Sequence, residues 1–452
     1  MKNQQNNDES EVIAHPLLHD FKALEGQTSS SSCSIQKASF SSAVFNISTT
    51  MIGAGIMSIP ATIKVLGIIP GFIAIVVVAV LTEVTVEFLL RYTNSGKSET
   101  YAGTVGESFG PLGSIAVQVC VIITNLGCLI IFFIIIGDVL CGSTQSGGAL
   151  HLGILQELFG IHWWNSRAYA LLLIAIFVML PLVSLRRVDS LRHSSAVSVL
   201  LAVVFVAISS AMAIYALCEG KAHKLRLFPD FAVISIFDVF TSIPVIVTSF
   251  GVHVNVHPIR AELGEPSDMK FIQLEQSSLA ARISLLICVL IYSSIGFFGY
   301  LLFGDSIMAD MLVNFDQNSG STFGQLLNII VRSSYAMHLL LVFPVMNFSL
   351  RANIDELLFP HKPVLAESNS RFLILTCIFL SFSYFVAIAI PNIWYFFQFM
   401  GSTTVVCLSF IFPGALILRD GQGISTTKDK IIATLVIVLA VVTSSVAISR
   451  NL

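Results

Sequence analysis

The chain has 452 residues, of which 55% are hydrophobic and only 11% carry a charged side chain. A soluble domain has about 25% charged residues, so this composition indicates a polytopic membrane protein and excludes an ordinary soluble domain. The net charge is −3, which gives no reason to expect a nucleic-acid partner.

The chain begins with a polar segment. Residues 1–39 are rich in Asn, Gln and Ser and lack the apolar core of a cleavable signal peptide. We expect a disordered cytosolic tail there, followed by a transmembrane domain over residues 40–452. The eight cysteines show no metal-site spacing, so no metal site is expected, and whether Cys141 and Cys218 form a disulfide stays open.

A membrane-spanning helix needs about 20 apolar residues, and eleven segments meet that requirement. We number them span 1 to span 11. They run near residues 40–66, 68–91, 112–141, 167–185, 194–217, 236–258, 281–303, 324–347, 371–390, 393–418 and 430–449. An odd number of spans puts the two termini on opposite sides. Seventeen of the 24 Lys and Arg residues fall on the side of the N terminus, which predicts that this side is cytosolic.

Span 1 contains a break at the depth where a helix should be most regular. Its segment FNISTTMIGAGIMSIP places Gly53 and Gly55 in the middle of an apolar run. Each glycine weakens a helix by about 1 kcal/mol relative to Ala, and hydrocarbon cannot hydrogen-bond exposed backbone. An unwound helix is tolerated where it lines a cavity, and its free N–H and C=O groups suit the carboxylate and ammonium of a zwitterion.

Span 6 carries a second break. Residues 240–258 interrupt an apolar run with Pro244, Gly251, two histidines, Asn255 and Pro258. Spans 1 and 6 occupy corresponding positions if the first ten spans form two inverted five-helix repeats and span 11 is an addition. Paired interruptions at corresponding positions predict the binding site of a secondary transporter.

Four segments resemble the amino acid/auxin permease family. They are the span 1 motif, TYAGTVGESFG in the predicted loop after span 2, IPVIVTSFGVHVNVHPIRAEL in span 6 and VFPVMNFSLRANIDELLF in span 8. Within that family the chain is similar to plant vacuolar amino-acid transporters related to the sodium-coupled neutral amino-acid transporters. The resemblance implies an all-α, leucine-transporter-like architecture with the substrate held between spans 1 and 6.

The resemblance also assigns residues. The segment formed by Thr50, Met51, Ile52, Gly53, Ala54 and Gly55 matches the family's unwound first helix, whose backbone meets the substrate head group. Asn46 matches the Asn of the family's FNxS run. Sodium-coupled members tend to have a second Asn where this chain has Thr49, and the loss of an amide oxygen weakens a sodium site. We therefore expect protons as the coupling ion, with sodium as the alternative and no other cofactor.

Proton coupling requires titratable groups within the membrane, where a charge costs about 2.5–3.5 kcal/mol and marks a functional residue by default. The candidates are Glu83, Glu87, Asp138, His253, His257 and His338. Glu87 lies four residues before Arg91, so an ion pair between these two residues is as good an interpretation as a proton role for Glu87. Glu83 has no such partner in sequence and is favoured as a relay. For His253, a structural hydrogen bond is at least as good an interpretation as a proton role.

Taken together, the sequence predicts a non-enzymatic secondary transporter of neutral amino acids in the vacuolar membrane. Ser249 and Phe250 are expected to select the substrate side chain, and neutral substrates are favoured because no unpaired charged residue lies beside either break. Two alternatives stay open. One is a sodium-driven importer of the plasma membrane, and the other is an amino-acid sensor with little flux.

Overall fold

The computed structural model describes residues 40–144, 150–184, 188–232, 234–262, 270–316, 322–359, 365 and 368–451. The predicted tail over residues 1–39 lies outside the described residues. Within them, nine helices and one bent helix pair are long and apolar enough to cross a membrane, and Arg167–Val183 is a shorter apolar helix. All eleven predicted span positions therefore carry an apolar helix.

Most spans are single helices. Spans 2 to 5 are Ile68–Ser95, Tyr101–Cys141, Arg167–Val183 and Val188–Cys218, and spans 7 to 9 are Lys270–Phe303, Thr322–Leu358 and Asn369–Ala389. Span 10 is Ile393–Arg419 and span 11 is Thr427–Asn451. A two-residue antiparallel hairpin, β1 (Ser143–Thr144) and β2 (Leu150–His151), follows span 3.

Spans 1 and 6 are each built from two helices. Span 1 consists of Phe40–Met51 and of Ala54–Leu66, which are bent by 45° relative to each other. Span 6 consists of Ile236–Ser249 and His253–Glu262. These two broken spans stand five positions apart, as two inverted five-helix repeats require.

The segment TYAGTVGESFG is helical and not the loop expected from its sequence. The Thr100 hydroxyl accepts a hydrogen bond from the Gly103 N–H at 3.1 Å, which caps a helix that begins at Tyr101. The helix is kinked where Gly110, with φ of 73°, precedes Pro111, because proline disfavours helical backbone at the residue before it. The segment before Gly110 is thus a separate short helix, and the spanning helix follows the kink, close to the predicted start at 112.

Burial separates the central spans from the peripheral ones. In span 10, 67% of an 18-residue apolar stretch is buried inside the protein, whereas the same measure is only 22% in spans 5 and 11. Span 11 exposes Leu435, Val438, Leu439 and Val442, which fall on one helical face and suit a lipid contact. Its opposite face buries small residues such as Ala433 and Ala440, which let helix backbones approach closely.

Candidate functional site

The break in span 1 lies at Ile52 and Gly53. The Gly53 backbone is extended, with φ of −111° and ψ of −151°, and helical structure resumes at Ala54. The Ile52 N–H donates to the Ser48 carbonyl at 2.9 Å and the Gly53 N–H to the Met51 carbonyl at 2.7 Å. The first N–H groups of a helix have no acceptor within it, so the groups open to an anion belong to Ala54 and Gly55, a narrower set than the predicted one.

The break in span 6 follows Ser249. The helix ends there, the backbone turns at Phe250 and Gly251, and a second helix begins at His253. The Ser249 hydroxyl donates to the Val245 carbonyl at 3.0 Å. Both Ser249 and Phe250 are buried, as expected of residues that face a cavity between spans.

The two breaks touch each other. A Cβ atom on Gly55 would lie 2.9 Å from the Ser249 Cα, closer than real Cβ atoms approach other backbones. Only glycine therefore fits at position 55. A Cβ atom on Gly53 would meet nothing nearer than 4.0 Å, so this side of the break faces open space. This contact brings the two predicted helix breaks together.

Three side chains from other spans lie within hydrogen-bond distance of the carbonyls of the span 1 break, and the two tyrosines among them donate. The Tyr292 hydroxyl lies 2.6 Å from the Met51 carbonyl and 2.9 Å from the Ser249 carbonyl, so its one hydrogen is shared between the two breaks. The His338 Nε2 lies 3.1 Å from the Ile52 carbonyl, and the Tyr335 hydroxyl donates to the Gly53 carbonyl. Each of the carbonyls expected to be free thus already has a hydrogen-bonding side chain beside it.

Sequence reasoning missed the two tyrosines and noted His338 only as a titratable group within a span. A hydroxyl or imidazole inside an apolar helix is the signal that could have found them. The sequence does not show which backbone group such a side chain contacts, because that depends on how the spans pack against each other.

The predicted cation residues lie in the first half of span 1. The Thr49 hydroxyl donates to the Phe45 carbonyl at 2.8 Å, and the Thr50 hydroxyl donates to the Ile47 carbonyl at 2.8 Å. Each hydroxyl oxygen keeps its lone pairs for a ligand. Asn46 is partly buried on the same helix.

Glu83 and Glu87 share one partner, Arg282 of span 7. The Arg282 Nε lies 3.0 Å from a Glu83 oxygen, and a terminal nitrogen of the same guanidinium lies 2.8 Å from a Glu87 oxygen. All three side chains are more than a third exposed. Arg91 pairs instead with Asp429 at 3.0 Å, so the pairing of Glu87 with Arg91 considered from the sequence does not form. Glu83 also has an ionic partner, Arg282, which lies on another span and so could not be found from the sequence around Glu83.

Asp138 is buried near the end of span 3 that faces away from the N terminus. It forms an ion pair with Arg167, which also donates to the Ile134 carbonyl at 3.0 Å. The buried Asp310 belongs to the loop after span 7, where one carboxylate oxygen accepts from the Leu312 N–H at 2.9 Å and the other has no partner among the described residues. Burial raises the pKa of Asp310 well above its usual range, and the negative charge of the nearby Asp138 raises it further.

His253 joins span 6 to span 2. Its Nε2 lies 3.0 Å from the Thr85 hydroxyl, which donates its own hydrogen to the Leu81 carbonyl at 2.8 Å. The ring nitrogen is therefore the donor in the neutral state, and Nδ1 has no partner among the described residues. His257 makes the same type of bond to Thr93 at 2.8 Å. His253 thus makes the type of hydrogen bond between helices that the sequence offered as one interpretation.

The cysteines considered for a disulfide are both free. Cys141 is buried at the end of span 3, and Cys218 is exposed at the end of span 5. The described residues also gather no group of three or more His, Cys, Asp or Glu side chains that could hold a metal ion.

Solved structures with a similar fold are transporters. The chain aligns with MhsT, solved in complex with L-phenylalanine, at a TM-score of 0.53 and 13% identity over 91% of this chain and 98% of that chain. It aligns with the Eremococcus coleocola manganese transporter at a TM-score of 0.58 and 12% identity over 91% and 86% of the two chains. These likenesses confirm the leucine-transporter-like fold class.

Sequence relatives cover nearly the whole chain. Among those of Arabidopsis thaliana, amino acid transporter AVT6C is 55% identical over 92% of this chain and 94% of its own length. AVT6D is 53% identical over 98% of both chains, and AVT6A is 47% identical over 91% and 88%. The family model described as transmembrane amino acid transporter protein matches residues 36–450. The chain is thus a multi-pass membrane protein that belongs to the transmembrane amino acid transporter family.

Proposed function

We propose that the protein is a secondary active transporter that moves neutral amino acids by alternating access and couples this movement to protons. The observation that carries the proposal is the contact between the two helix breaks, with Gly55 against Ser249 and the Gly53 side open. The relatives named amino acid transporters and the L-phenylalanine complex of MhsT support an amino acid as the substrate.

The breaks supply both halves of a zwitterion site. The N–H groups of Ala54 and Gly55 begin a helical stretch, where a carboxylate is favoured by the unpaired donors and the helix dipole. The carbonyls of Met51, Ile52 and Gly53 each have one hydrogen-bonding side chain beside them, and each retains a lone pair for an ammonium group.

Neutral side chains are favoured because the groups that reach the breaks are two tyrosines and one histidine, with no carboxylate, Lys or Arg among them. They are Tyr292, Tyr335 and His338, and no ion pair among the described residues includes a residue of either break. A substrate with a charged side chain would therefore lose its hydration without gaining an ionic partner.

The test uses purified protein in vesicles with labelled neutral amino acids under imposed gradients. We expect a pH gradient to drive accumulation, a protonophore to abolish it, and replacement of sodium by choline to leave it unchanged. Vesicles without protein are the control. Flux that requires sodium and ignores pH would support the sodium-coupled alternative with Asn46 and Thr49 as ligands, whereas binding with little turnover would support a sensor.

We place the protein in the vacuolar membrane with its N terminus in the cytosol. The excess of Lys and Arg on the side of the N terminus supports this orientation, and the family resemblance supports the compartment. In an acidic vacuole, proton symport exports amino acids to the cytosol and antiport loads them. A fluorescent fusion with protease protection of the tail tests location and orientation, and transport with acid on either face distinguishes the two directions.

A further inference from the structure

His338 of span 8 is fully buried and holds three spans together. Its Nε2 lies 3.1 Å from the Ile52 carbonyl at the break of span 1. Its Nδ1 lies 2.7 Å from the Ser198 carbonyl and 2.8 Å from the Ser198 hydroxyl in span 5. The ring therefore connects the break of span 1 to span 5.

A neutral imidazole cannot satisfy both carbonyls, because only one of its nitrogens carries a hydrogen. With the hydrogen on Nε2, the ring donates to Ile52, and Nδ1 accepts from the Ser198 hydroxyl while its lone pair faces the Ser198 carbonyl. With the hydrogen on Nδ1, the ring donates to Ser198 and presents a lone pair to Ile52. Only the imidazolium donates to both carbonyls at once.

We propose that His338 binds the coupling proton. The inference rests on the proposed proton-coupled transport and names the residue that performs the coupling. The Nδ1 lone pair takes a proton from a hydronium ion of the acidic compartment, which forms an N–H bond and releases water. Span 1 and span 5 are then both hydrogen-bonded to span 8. Return of the proton to water on the other side leaves the ring able to donate to only one of the Ile52 and Ser198 carbonyls, so proton occupancy biases the position of span 1.

The titratable groups around the ring are tyrosines. The Tyr335 ring lies 5.0 Å from the imidazole, centroid to centroid, and its hydroxyl donates to Gly53 of span 1. Tyr292 of span 7 donates at Met51, and span 5 contributes Ser198. Among the described residues, no carboxylate or cation forms an ion pair with His338. The charge of the His338 ring therefore depends on proton binding and on its hydrogen bonds to the Ile52 and Ser198 carbonyls.

Three other candidates that the sequence offered for this role have different partners. Glu83 is paired with Arg282 at a half-exposed position, Asp138 is paired with Arg167, and His253 is bonded to Thr85. None of those contacts involves the backbone of either break. His338 makes such a contact directly.

The first test compares His338→Gln with the wild type in vesicles. Gln keeps a donor and an acceptor but does not titrate, so we expect accumulation driven by a pH gradient to fall at least tenfold while substrate exchange persists. The matched control is His162→Gln, an exposed loop histidine that stacks on Trp164, which should leave accumulation unchanged. A His338→Gln protein that accumulates substrate like the wild type overturns the inference, and loss of accumulation in Glu83→Gln instead would assign the proton to Glu83.

The second test uses Ser198→Ala, which keeps the carbonyl at position 198 and removes a hydroxyl that donates only to the neutral ring. Loss of the hydrogen bond from the Ser198 hydroxyl destabilises the neutral His338 ring relative to the charged one. The pH of half-maximal transport should therefore rise by about half a unit to one unit. An unchanged or lower midpoint contradicts the inference even if His338→Gln fails to fold. Wild-type flux that ignores pH would instead refute the proposed function itself.

Discussion

Two glycines in one motif have different roles at the scale of single residues. Gly53 borders open space, whereas Gly55 is held against the Ser249 backbone. From the sequence alone, we would expect a larger side chain at either position to abolish transport while the protein still folds. The structure separates them, because only one of the two added side chains would meet another helix.

We therefore predict that Gly53→Val leaves abundance near normal and abolishes transport, since the new side chain fills the space beside the open face of the break. Gly55→Val should instead lower the amount of folded protein, since the side chain would clash with span 6. Size-exclusion profiles of fluorescent fusions and vesicle flux measure the two effects. Equal abundance of the two variants would contradict this distinction, and normal flux in Gly53→Val would remove that face from the substrate path.

At the scale of elements, Tyr292 connects span 7 to both broken spans. We predict that Tyr292→Phe lowers stability by about 1 kcal/mol, because two buried carbonyls lose their shared donor, and that it also slows transport severalfold. Tyr384→Phe is the control. The Tyr384 hydroxyl donates to the Ala168 carbonyl at 3.0 Å and links spans 9 and 4, away from the breaks. Thermal unfolding in detergent should shift alike in both variants, whereas transport should fall only in Tyr292→Phe.

The contact of Arg282 with two glutamates joins span 2 to span 7 on the predicted cytosolic side. Because these side chains are half exposed, each pair is worth less than about 1 kcal/mol and weakens in salt. We predict that Glu87→Gln has little effect on transport, since Glu83 keeps its contact with Arg282. Arg282→Gln should do more, since it leaves two carboxylates side by side. Comparable flux in Arg282→Gln and the wild type at low salt would show that the contact is dispensable.

At the scale of the whole molecule, the face opposite the N terminus is closed by charged contacts between loops and spans. Asp138 pairs with Arg167, Arg332 with Glu157, and His151 with Asp316 at 3.0 Å. Asp310 lies near Asp138 and forms no ion pair with any residue that the structure describes. Its loop packs on span 1, where the Ser58 hydroxyl donates to the Ala309 carbonyl at 2.7 Å.

The raised pKa of Asp310 makes stability depend on pH. A carboxyl group whose pKa is raised on folding keeps its proton in the folded state while the unfolded chain releases it. The folded state therefore loses stability as pH rises from the usual Asp value near 3.8 toward the raised pKa. We predict that Asp310→Asn is more stable than the wild type at pH 7 and that the difference shrinks at pH 5. Melting temperatures in detergent across this range measure it, and a constant difference would contradict the assignment.

The sequence predicted the span order and both breaks because apolar length and Gly–Pro interruptions are local signals. It missed the helix beginning at Tyr101, where a capping threonine and a glycine–proline kink together resemble a loop. It also missed Arg282 as the partner of Glu83, and Asp310 as a buried group in a loop. Pairing between residues far apart in the chain depends on how spans pack, and no local pattern encodes that packing.

The contact of Gly55 with Ser249, together with the shared hydrogen of Tyr292, has a kinetic consequence. Because the two breaks are in direct contact, we expect them to move together and to keep the geometry that receives the carboxylate and ammonium groups of the substrate when access passes from one face to the other. In the absence of ion gradients, we expect the Michaelis constants measured from the two faces to be nearly equal. Exchange of labelled for unlabelled substrate should then run faster than net uptake, because it never requires the empty carrier to return.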